Sequence, residues 1–355
     1  MHHIKNKRGV IMKKLSAIIV ILLLIVFTFF PKHSKQADIE KGISIDIART
    51  HYTKESIKKI IGELSRVNGR YLQLHLADND NYSIYSKVLG QTSTHSNHYY
   101  LTKAELRELV QYANKHHVQL IPELDFPAHS KAMLTLLHKH HPSQYRQVVS
   151  SYDNTMLDFQ QNQTALDVSR QLINEVADIF YQTPYKDNLK MVIGGDEVPG
   201  GGAQQRDFVS YMNQLADTVQ AKHYTPKMWN DSLTHEGLKN LNHSIIIMYW
   251  HQPSKQSPSP TDFFTNHFMV ENFNRSVYYV FPRAQQSTHS LTKQKADIAD
   301  TRLTDFNTAN MRKDPHFNSY INGEYLTFWG EFASDLKQTN LIEYVYKFIR
   351  IYFNS

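Results

Sequence analysis

From Gly42 onward the chain alternates short apolar runs with longer amphipathic ones. The apolar runs are "GISIDIAR", "YLQLHLADND", "VQLIPELD", "MVIGGDE", "PKMWND", "SIIIMYW", "FMVENFN" and "YLTFWGE". They are rich in β-branched and aromatic residues, which is the signature of buried strands. Between them lie stretches with helical spacing. "TKESIKKIIGELSRVNG" carries Ile57, Ile60, Ile61 and Leu64 on one face, with Thr53 and Ser56 near its start and Gly69 just past its end. "TKAELRELVQYANKHH" opens on Thr102 with Glu105 three residues on, a capping box. "DVSRQLINEVADIFYQT", "QRDFVSYMNQLADTVQAKH" and "TNLIEYVYKFIRIYF" repeat the theme. A strand alternating with a helix in this way predicts a (β/α)8 TIM barrel in a single domain, residues 36–355. His251 to His267, with Pro253, Pro258 and Pro260, reads as an irregular loop over the mouth, and Arg283 to Tyr320 as a long polar connection with some helix.

In such a barrel the active site lies at the C-terminal ends of the strands. Here those ends carry Asp46 and Arg49, Asp78, Glu123 and Asp125, Asp196 and Glu197, Trp229 and Asp231, Trp250, and Trp329 and Glu331. Ordinary polar loops would explain polarity, but not the repeated choice of acids, amides and indoles. Each tryptophan alone is as readily a core residue, but all three of the chain sit at predicted strand ends. Indoles beside carboxylates suit a sugar, whose apolar faces stack while its hydroxyls bond.

Composition narrows the picture. The chain has 355 residues, 41% hydrophobic and 12% aromatic, ample for one large barrel. The net charge of +6 is partly a property of the start, where Lys5, Lys7, Arg8, Lys13 and Lys14 meet no acid. No nucleic-acid motif accompanies it, so no nucleic-acid partner is expected. Cysteine is absent, which excludes disulfides and thiol catalysis. The twenty histidines lack metal-ligand spacing, and "DNDNYS" has Ser83 and Leu89 where a calcium loop needs Gly and Glu. No metal or cofactor is expected.

The basic start leads into an apolar run, Leu15 to Phe30. Residues 1–35 are therefore expected to be a signal peptide or a membrane anchor with a short tether. "FTFFPKHS" offers no small-x-small cleavage site, so both fates stand. The expected location is extracellular or at the cell surface, with a membrane contact through this segment if it is uncleaved.

The densest chemistry is "KMVIGGDEVPGGG". Two adjacent carboxyls in a dry pocket cannot both be cheap anions, so one is expected to have its pKa pushed up. A carboxyl protonated at neutral pH is what a glycosidic leaving oxygen needs. The glycines Gly200 to Gly202 lack the Lys-Ser/Thr of a phosphate loop.

Taken together, "DIAR", "HLADNDNYSI", "PELDFPAH", "IGGDE", "MWND", "YW" and "FWGE" resemble family 20 glycoside hydrolases, the β-N-acetylhexosaminidases. The likeness runs from about Gly42 to the C-terminus and is closest to the biofilm-degrading dispersin type, which also lacks a preceding α/β domain. It implies a retaining reaction in which the substrate's own acetamido oxygen attacks the anomeric carbon. Asp196 would stay anionic and orient the acetamido nitrogen, and Glu197 would stay protonated as general acid, then act as base. Arg49 would hold hydroxyls, Trp229, Trp250 and Trp329 would wall the pocket, and Glu331 would bind outer hydroxyls. Asp78, Glu123, Asp125, His129 and Asp231 would support them. Val192 stands where the family often has His, which removes one supporting hydrogen bond. The family's acetamido-binding Tyr on the seventh strand falls in "NRSVYYVF". A gapless match puts Val277 there; Tyr278 is preferred, with a local shift, and Tyr279 is the alternative. The implied substrate is poly-β-1,6-N-acetylglucosamine of biofilms. Other N-acetylhexosamine-terminated glycans or chitin oligomers come next, and a non-catalytic carbohydrate-binding surface protein last.

Overall fold

The computed structural model describes residues 39–199, 204–285, 287–308, 311–312 and 314–355. The apolar N-terminal segment and the run Gly200 to Gly202 lie outside them. The expected strands form in order: β1 (Glu40–Asp46), β2 (Tyr71–His75), β3 (Gln119–Glu123), β4 (Leu189–Val192), β5 (Tyr224–Trp229), β6 (Ile246–Tyr249), β7 (Val270–Asn272), a short β8 (Tyr279–Val280) and β9 (Ile321–Phe328). All pairings are parallel, and β9 returns to pair with β1 from Glu40↔Gly323 to Ile45↔Phe328, which closes the barrel. Strands β3, β4 and β6 are buried along their whole length, as strands covered on both faces should be.

The helices follow from the same periodicity. α1 (Lys54–Arg66) turns Ile57, Ile60, Ile61 and Leu64 inward, and the Thr53 side chain accepts the Ser56 N–H at 3.1 Å. α2 (Lys103–Lys115) starts with the Thr102–Glu105 capping box closed in both directions. Between β3 and β4 lie α3 (Lys131–His140), α4 (Pro142–Val148) and α5 (Gln163–Phe180), and α6 (Gln205–Ala221) precedes β5. The stretch expected as an irregular loop, His251 to His267, contains α8 (Pro260–Thr265), which follows a one-turn α7 (His235–Leu238). Ser259 and Asp262 cap α8 reciprocally, and Phe263 and Phe264 are buried. Proline there marks the first turn of a helix, which its fixed φ favours. Among the described residues no helix is long and apolar enough to cross a membrane.

The seventh strand departs from the simple rhythm. β7 pairs with the first half of β9, Val270↔Ile321 to Asn272↔Glu324. The chain then makes a single helical turn, α9 (Arg275–Tyr278), and re-pairs as β8 with the second half of β9, Tyr279↔Thr327 and Val280↔Phe328. The seventh position of the barrel is thus one strand cut by an inserted turn. α10 (Thr288–Asp300) follows, and α11 (Gln338–Asn354) closes the chain.

The barrel interior is not purely apolar. Lys227 Nζ lies 2.7 Å from Glu271 Oε2 and donates to Gln73 Oε1 at 2.9 Å, and Gln73 Nε2 donates to Glu123 Oε2 at 2.8 Å. Lys190 Nζ lies 2.6 Å from Glu40 Oε1. Buried charges survive only when paired this closely. The row leads from the barrel floor toward the mouth.

Candidate active site

Three hollows stand out among the described residues. One of about 480 Å³ is lined by Arg302, Asp305, Phe306 and Asp314 among others, and its Arg302 already pairs with Asp305 at 3.0 Å. One of about 230 Å³ lies between α5 and α6, with Asp207 and Tyr211 in its wall. The third, about 130 Å³, sits at the strand C-termini and gathers Arg49, His129, Asp196, Glu197, Trp250, Trp329 and Glu331 with Arg275, Tyr279 and Phe281. Only the third joins adjacent carboxyls, an imidazole and indoles, so the chemistry rather than the volume selects it.

The acid pair depends on the turn after β4. Gly194 and Gly195 have φ of +90° and +94°, and Glu197 itself has φ +46°. A Cβ on Gly194 would lie 2.1 Å from the Phe126 nitrogen and 2.5 Å from Asp125 Oδ1, so only glycine fits. The Gly195 N–H donates to Phe126 O at 2.8 Å, and the Trp229 N–H to Gly194 O at 2.9 Å. Asp231 then locks the tip. Its Oδ2 accepts the Glu197 N–H at 2.9 Å and its Oδ1 accepts Trp250 Nε1–H at 3.1 Å.

The two neighbours part company at that turn. Asp196 points inward, and its Oδ1 is buried with no protein partner. Burial first, then the carboxylates Asp231 and Asp125, raise its pKa well above the ordinary range. Glu197 points to the mouth, its side chain 60% exposed, with Oε2 3.5 Å from His129 Nε2. His129 lowers the Glu197 pKa against a smaller opposing effect of burial, with further help from Arg49 and Arg275. The expected assignment of resting charges is thereby reversed: the carboxyl pushed up is Asp196, and Glu197 is the more readily ionised. The physical reason is position: burial among acids pushes the Asp196 carboxyl up, and the neighbouring His129 draws Glu197 down.

The charges behind Glu197 form a chain. His129 Nδ1 lies 3.4 Å from Asp78 Oδ1, and the residue holds φ +50° to reach it. Asp78 Oδ2 lies 2.6 Å from Arg49 Nη2 and 2.9 Å from His75 Nε2. His75 Nδ1 in turn lies 3.1 Å from Glu123 Oε1. Burial alone would lower both imidazoles, but the flanking carboxylates win and raise His75 to about 10 and His129 to about 12. Burial would raise Asp78, yet His129 and His75 hold it well below the usual range. Asp125, enclosed and touching none of these cations closely enough, is pushed up to about 7 by burial. Arg49 is fixed from the other side by Asp46, whose Oδ2 lies 3.1 Å from Nη1 and also accepts the Gly330 N–H at 3.0 Å. Burial lifts the Glu331 carboxyl at the rim, against the pull of Arg49.

The rings make a slot. Trp250 and Tyr279 are parallel, with centroids 5.9 Å apart and 7° between planes, and Tyr279 meets Trp329 edge-on at 5.5 Å. The Arg49 guanidinium lies 5.2 Å over Trp329. Trp229 does not wall this slot. It is fully buried beneath it, with Nε1–H donating to Glu123 Oε1 at 2.9 Å and its ring edge-on to Phe273. As the last residue of an inward-facing strand it packs inside the barrel.

Tyr278 is also displaced from the role preferred for it. It faces outward, its hydroxyl donating to Glu324 Oε2 at 2.7 Å and its ring packing on Tyr352 of α11. Tyr279 lines the pocket instead. The reason is the inserted turn: β8 re-enters pairing at Tyr279↔Thr327, so alternation sends Tyr279 inward and Tyr278 outward. Burial, then Asp196 and Asp231, raise the Tyr279 pKa well above its usual value, so the hydroxyl keeps its proton and can donate a hydrogen bond.

Reasoning from sequence missed Arg275, Phe281 and His75. Arg275 stacks over Trp250 at 5.3 Å. His75 had a signal: with Gln73 it marks one face of an otherwise apolar strand. Asp125, His129 and Asp196 bring one possible ligand atom each within 4.8 Å of the others. Both ring nitrogens of His129 face carboxylates, Nδ1 toward Asp78 and Nε2 toward Glu197.

A closed parallel barrel with paired carboxyls and an aromatic slot at its C-terminal mouth defines a class of sugar-cleaving enzymes. The chain belongs to glycosyl hydrolase family 20, whose catalytic-domain model matches residues 41–346. Among solved structures it is similar to Dispersin B, with a TM-score of 0.80 and 25% identity over 89% of this chain and 98% of that one. A catalytic module of the pneumococcal exo-β-D-N-acetylglucosaminidase shares the fold at TM-score 0.72 and 19% identity, covering 90% of this chain and 86% of that one. Among curated proteins it is similar to a β-hexosaminidase of Vibrio furnissii, 28% identical over 45% of this chain. It also matches an N,N'-diacetylchitobiase of Vibrio harveyi, 24% identical over 26% of this chain. These matches span 29% and 13% of the two curated proteins' own lengths.

Proposed function

We propose that the protein is a β-N-acetylglucosaminidase that hydrolyses poly-β-1,6-N-acetylglucosamine of biofilm matrix by substrate-assisted, retaining catalysis. The observation that carries this reading is Asp196 Oδ1, a buried acceptor without a protein partner beside the Trp250–Tyr279–Trp329 slot. An N-acetyl group fits such a slot, with its N–H directed to Asp196 and its oxygen accepting from the Tyr279 hydroxyl. That oxygen attacks the anomeric carbon as the bond to the leaving oxygen breaks, and Glu197 gives its proton to the leaving oxygen. The product is an oxazolinium held by the Asp196 carboxylate. Water then attacks the same carbon from the vacated side, Glu197 takes its proton, and the acetamido group is restored. This is the known exception to the two-carboxylate scheme.

The reversed resting charges are compatible with this path. The pair shares one proton, and the productive form carries it on Glu197 with Asp196 ionised. The acetamido N–H favours that form by giving the Asp196 anion a donor. The His129 cation stabilises the Glu197 carboxylate left after proton transfer.

The preference for β-1,6 linkage rests on the resemblance to the dispersin type. The second reading is hydrolysis of chitin oligomers, favoured by the similarity to the chitobiase. A soluble form beginning near Gln36, incubated with β-1,6- and β-1,4-linked oligomers and followed by product mass, decides between them. Turnover of an aryl β-N-acetylglucosaminide separates both from a non-catalytic binding protein. Action outside the cell or at its surface is inferred from the apolar run Leu15 to Phe30. Membrane pelleting that resists salt would mark an uncleaved anchor, and a soluble form starting after Phe30 a cleaved signal.

A further inference from the structure

The pocket wall continues outward past the sugar slot. Phe281 lines the pocket, and its ring lies 5.9 Å from that of Phe332, which is 55% exposed in the turn after β9. The Arg283 guanidinium sits 4.6 Å over the outer part of this platform, on the Phe332 ring. Arg275, on the same rim, stands over Trp250. Among the described residues neither Arg275 nor Arg283 has a carboxylate within ion-pair distance, unlike Arg49 deeper in the pocket, which has two. The exposed Phe332 lies under a guanidinium that donates to Phe281 O at 3.4 Å and has no carboxylate partner among the described residues. The result is an aromatic shelf with a positive edge, joined through Phe281 to the pocket that Glu197 lines.

We propose that Phe281, Phe332 and Arg283 form the subsite for the sugar on the leaving side of the scissile bond, and that Arg275 and Arg283 make it select a neutral or anionic sugar over one bearing a free ammonium group. The inference rests on the reading of the site as an N-acetylglucosaminidase and adds the chemistry of the next sugar. Stacking on Phe332 uses the apolar sugar face, and the acetamido group of an acetylated residue adds no charge. A deacetylated glucosamine in the same place brings an ammonium toward two guanidinia. The enzyme therefore cuts preferentially where both residues flanking the bond are acetylated, and more slowly where the leaving residue is a glucosamine.

The test compares three substrates with an N-acetylglucosamine unit in the slot: one bearing a second N-acetylglucosamine, one bearing glucosamine, and a small alkyl glycoside with no sugar on the leaving side. The disaccharides are made in both β-1,6 and β-1,4 form, so that a wrong linkage assignment is seen as such. At a pH where the amine is charged, the acetylated disaccharide should show a kcat/KM about three- to tenfold above the deacetylated one, the scale of one partly screened charge repulsion. Arg283→Met should bring that ratio toward one. Phe332→Ala should lower kcat/KM for the acetylated disaccharide about tenfold, mainly through KM, the worth of one stacked ring, while the alkyl glycoside changes less than twofold. Equal cleavage of the two disaccharides overturns the charge selection. An equal effect of Phe332→Ala on disaccharide and alkyl glycoside overturns the subsite. Failure of the wild-type protein to cleave any of the three overturns the reading of the site itself, and the subsite with it.

Discussion

The two halves of the barrel mouth are held in different ways. Strands β1 to β4 supply charge: Asp46, Arg49, Asp78, Glu123, Asp125, His129, Asp196 and Glu197. Most of these are fixed by a named partner, from Asp46 on Arg49 to His75 between Asp78 and Glu123, and the exceptions, Asp125 and Asp196, are the two carboxyls pushed up. Strands β5 to β9 supply mainly rings, Trp250, Tyr279, Phe281, Trp329 and Phe332, related by ring contacts, with Asp231, Arg275 and Glu331 as their charged neighbours. The difference follows from the cost of burial. A charge out of water must be paired, and pairing fixes position on both sides. A ring needs only a backbone position and a neighbour. The aromatic half can therefore accept an inserted turn between β7 and β8 that the charged half could not.

The largest effect should come from the charged half. Glu197→Gln keeps the shape but cannot donate a proton, so turnover of a poor leaving group should fall about 10²–10⁴-fold. With an activated leaving group the loss should be far smaller, whereas Asp196→Asn should be slow with both. Rates of the two variants on one aryl and one sugar leaving group check this, and trapping of a sugar on either carboxyl would refute it.

Next comes the aromatic half. Tyr279→Phe removes the hydroxyl that the proposed path directs to the acetamido oxygen, and should cost about 10²-fold in kcat, the usual worth of such a donor. Tyr278→Phe should leave kcat unchanged and cost about 1–3 kcal/mol of stability, because Glu324 loses a buried hydrogen bond. Steady-state rates beside thermal melts distinguish the two tyrosines.

A smaller effect tests the junction between the halves. In the proposed path the productive form holds one proton on the acid pair, so kcat/KM should rise with pH through the depressed Glu197 value and fall through the raised Asp196 value. His129→Gln removes the cation that lowers Glu197. Its pKa should then rise, and the rising limb of the pH profile should move to higher pH. An unmoved limb would mean that His129 only packs.

The smallest catalytic effect is expected at Trp229. Trp229→Phe leaves Glu123 short of one donor and opens a cavity beneath the slot, costing about 1–3 kcal/mol of stability. KM for a monosaccharide glycoside should change less than about twofold, since the ring does not face the sugar.

The barrel, its strands and the helices with clear caps could be read from the sequence because each is a local pattern. Thr102 and Glu105 lie within one turn, and the alternation of strand and helix needs no distant partner. The acids could be read because they end apolar runs. Their resting charges could not, because those depend on Asp231 and His129, brought in from β5 and from the segment after β3. The inner row Gln73, Glu123, Lys227 and Glu271 shows the same limit. Each is an odd polar residue in an apolar run, and the partner of Lys227 at Gln73 lies 154 residues away. Trp229 and Tyr278 were misplaced for a related reason. A residue at a strand end can point into the barrel, into the mouth or outward, and an inserted turn such as α9 changes which.

The seam between β1 and β9 has a consequence for how the chain acquires activity as it is made. Asp46, which grips Arg49, also accepts the Gly330 N–H across 284 residues, and Trp329 and Glu331 arrive on the last strand. Synthesis proceeds from the N-terminus, so Asp196 and Glu197 emerge long before the wall that shapes their pocket. Contacts of such high sequence separation form late and slowly. A partly made chain thus carries the acid pair without a sugar site, and hydrolytic competence switches on only when the final strand zips onto the first.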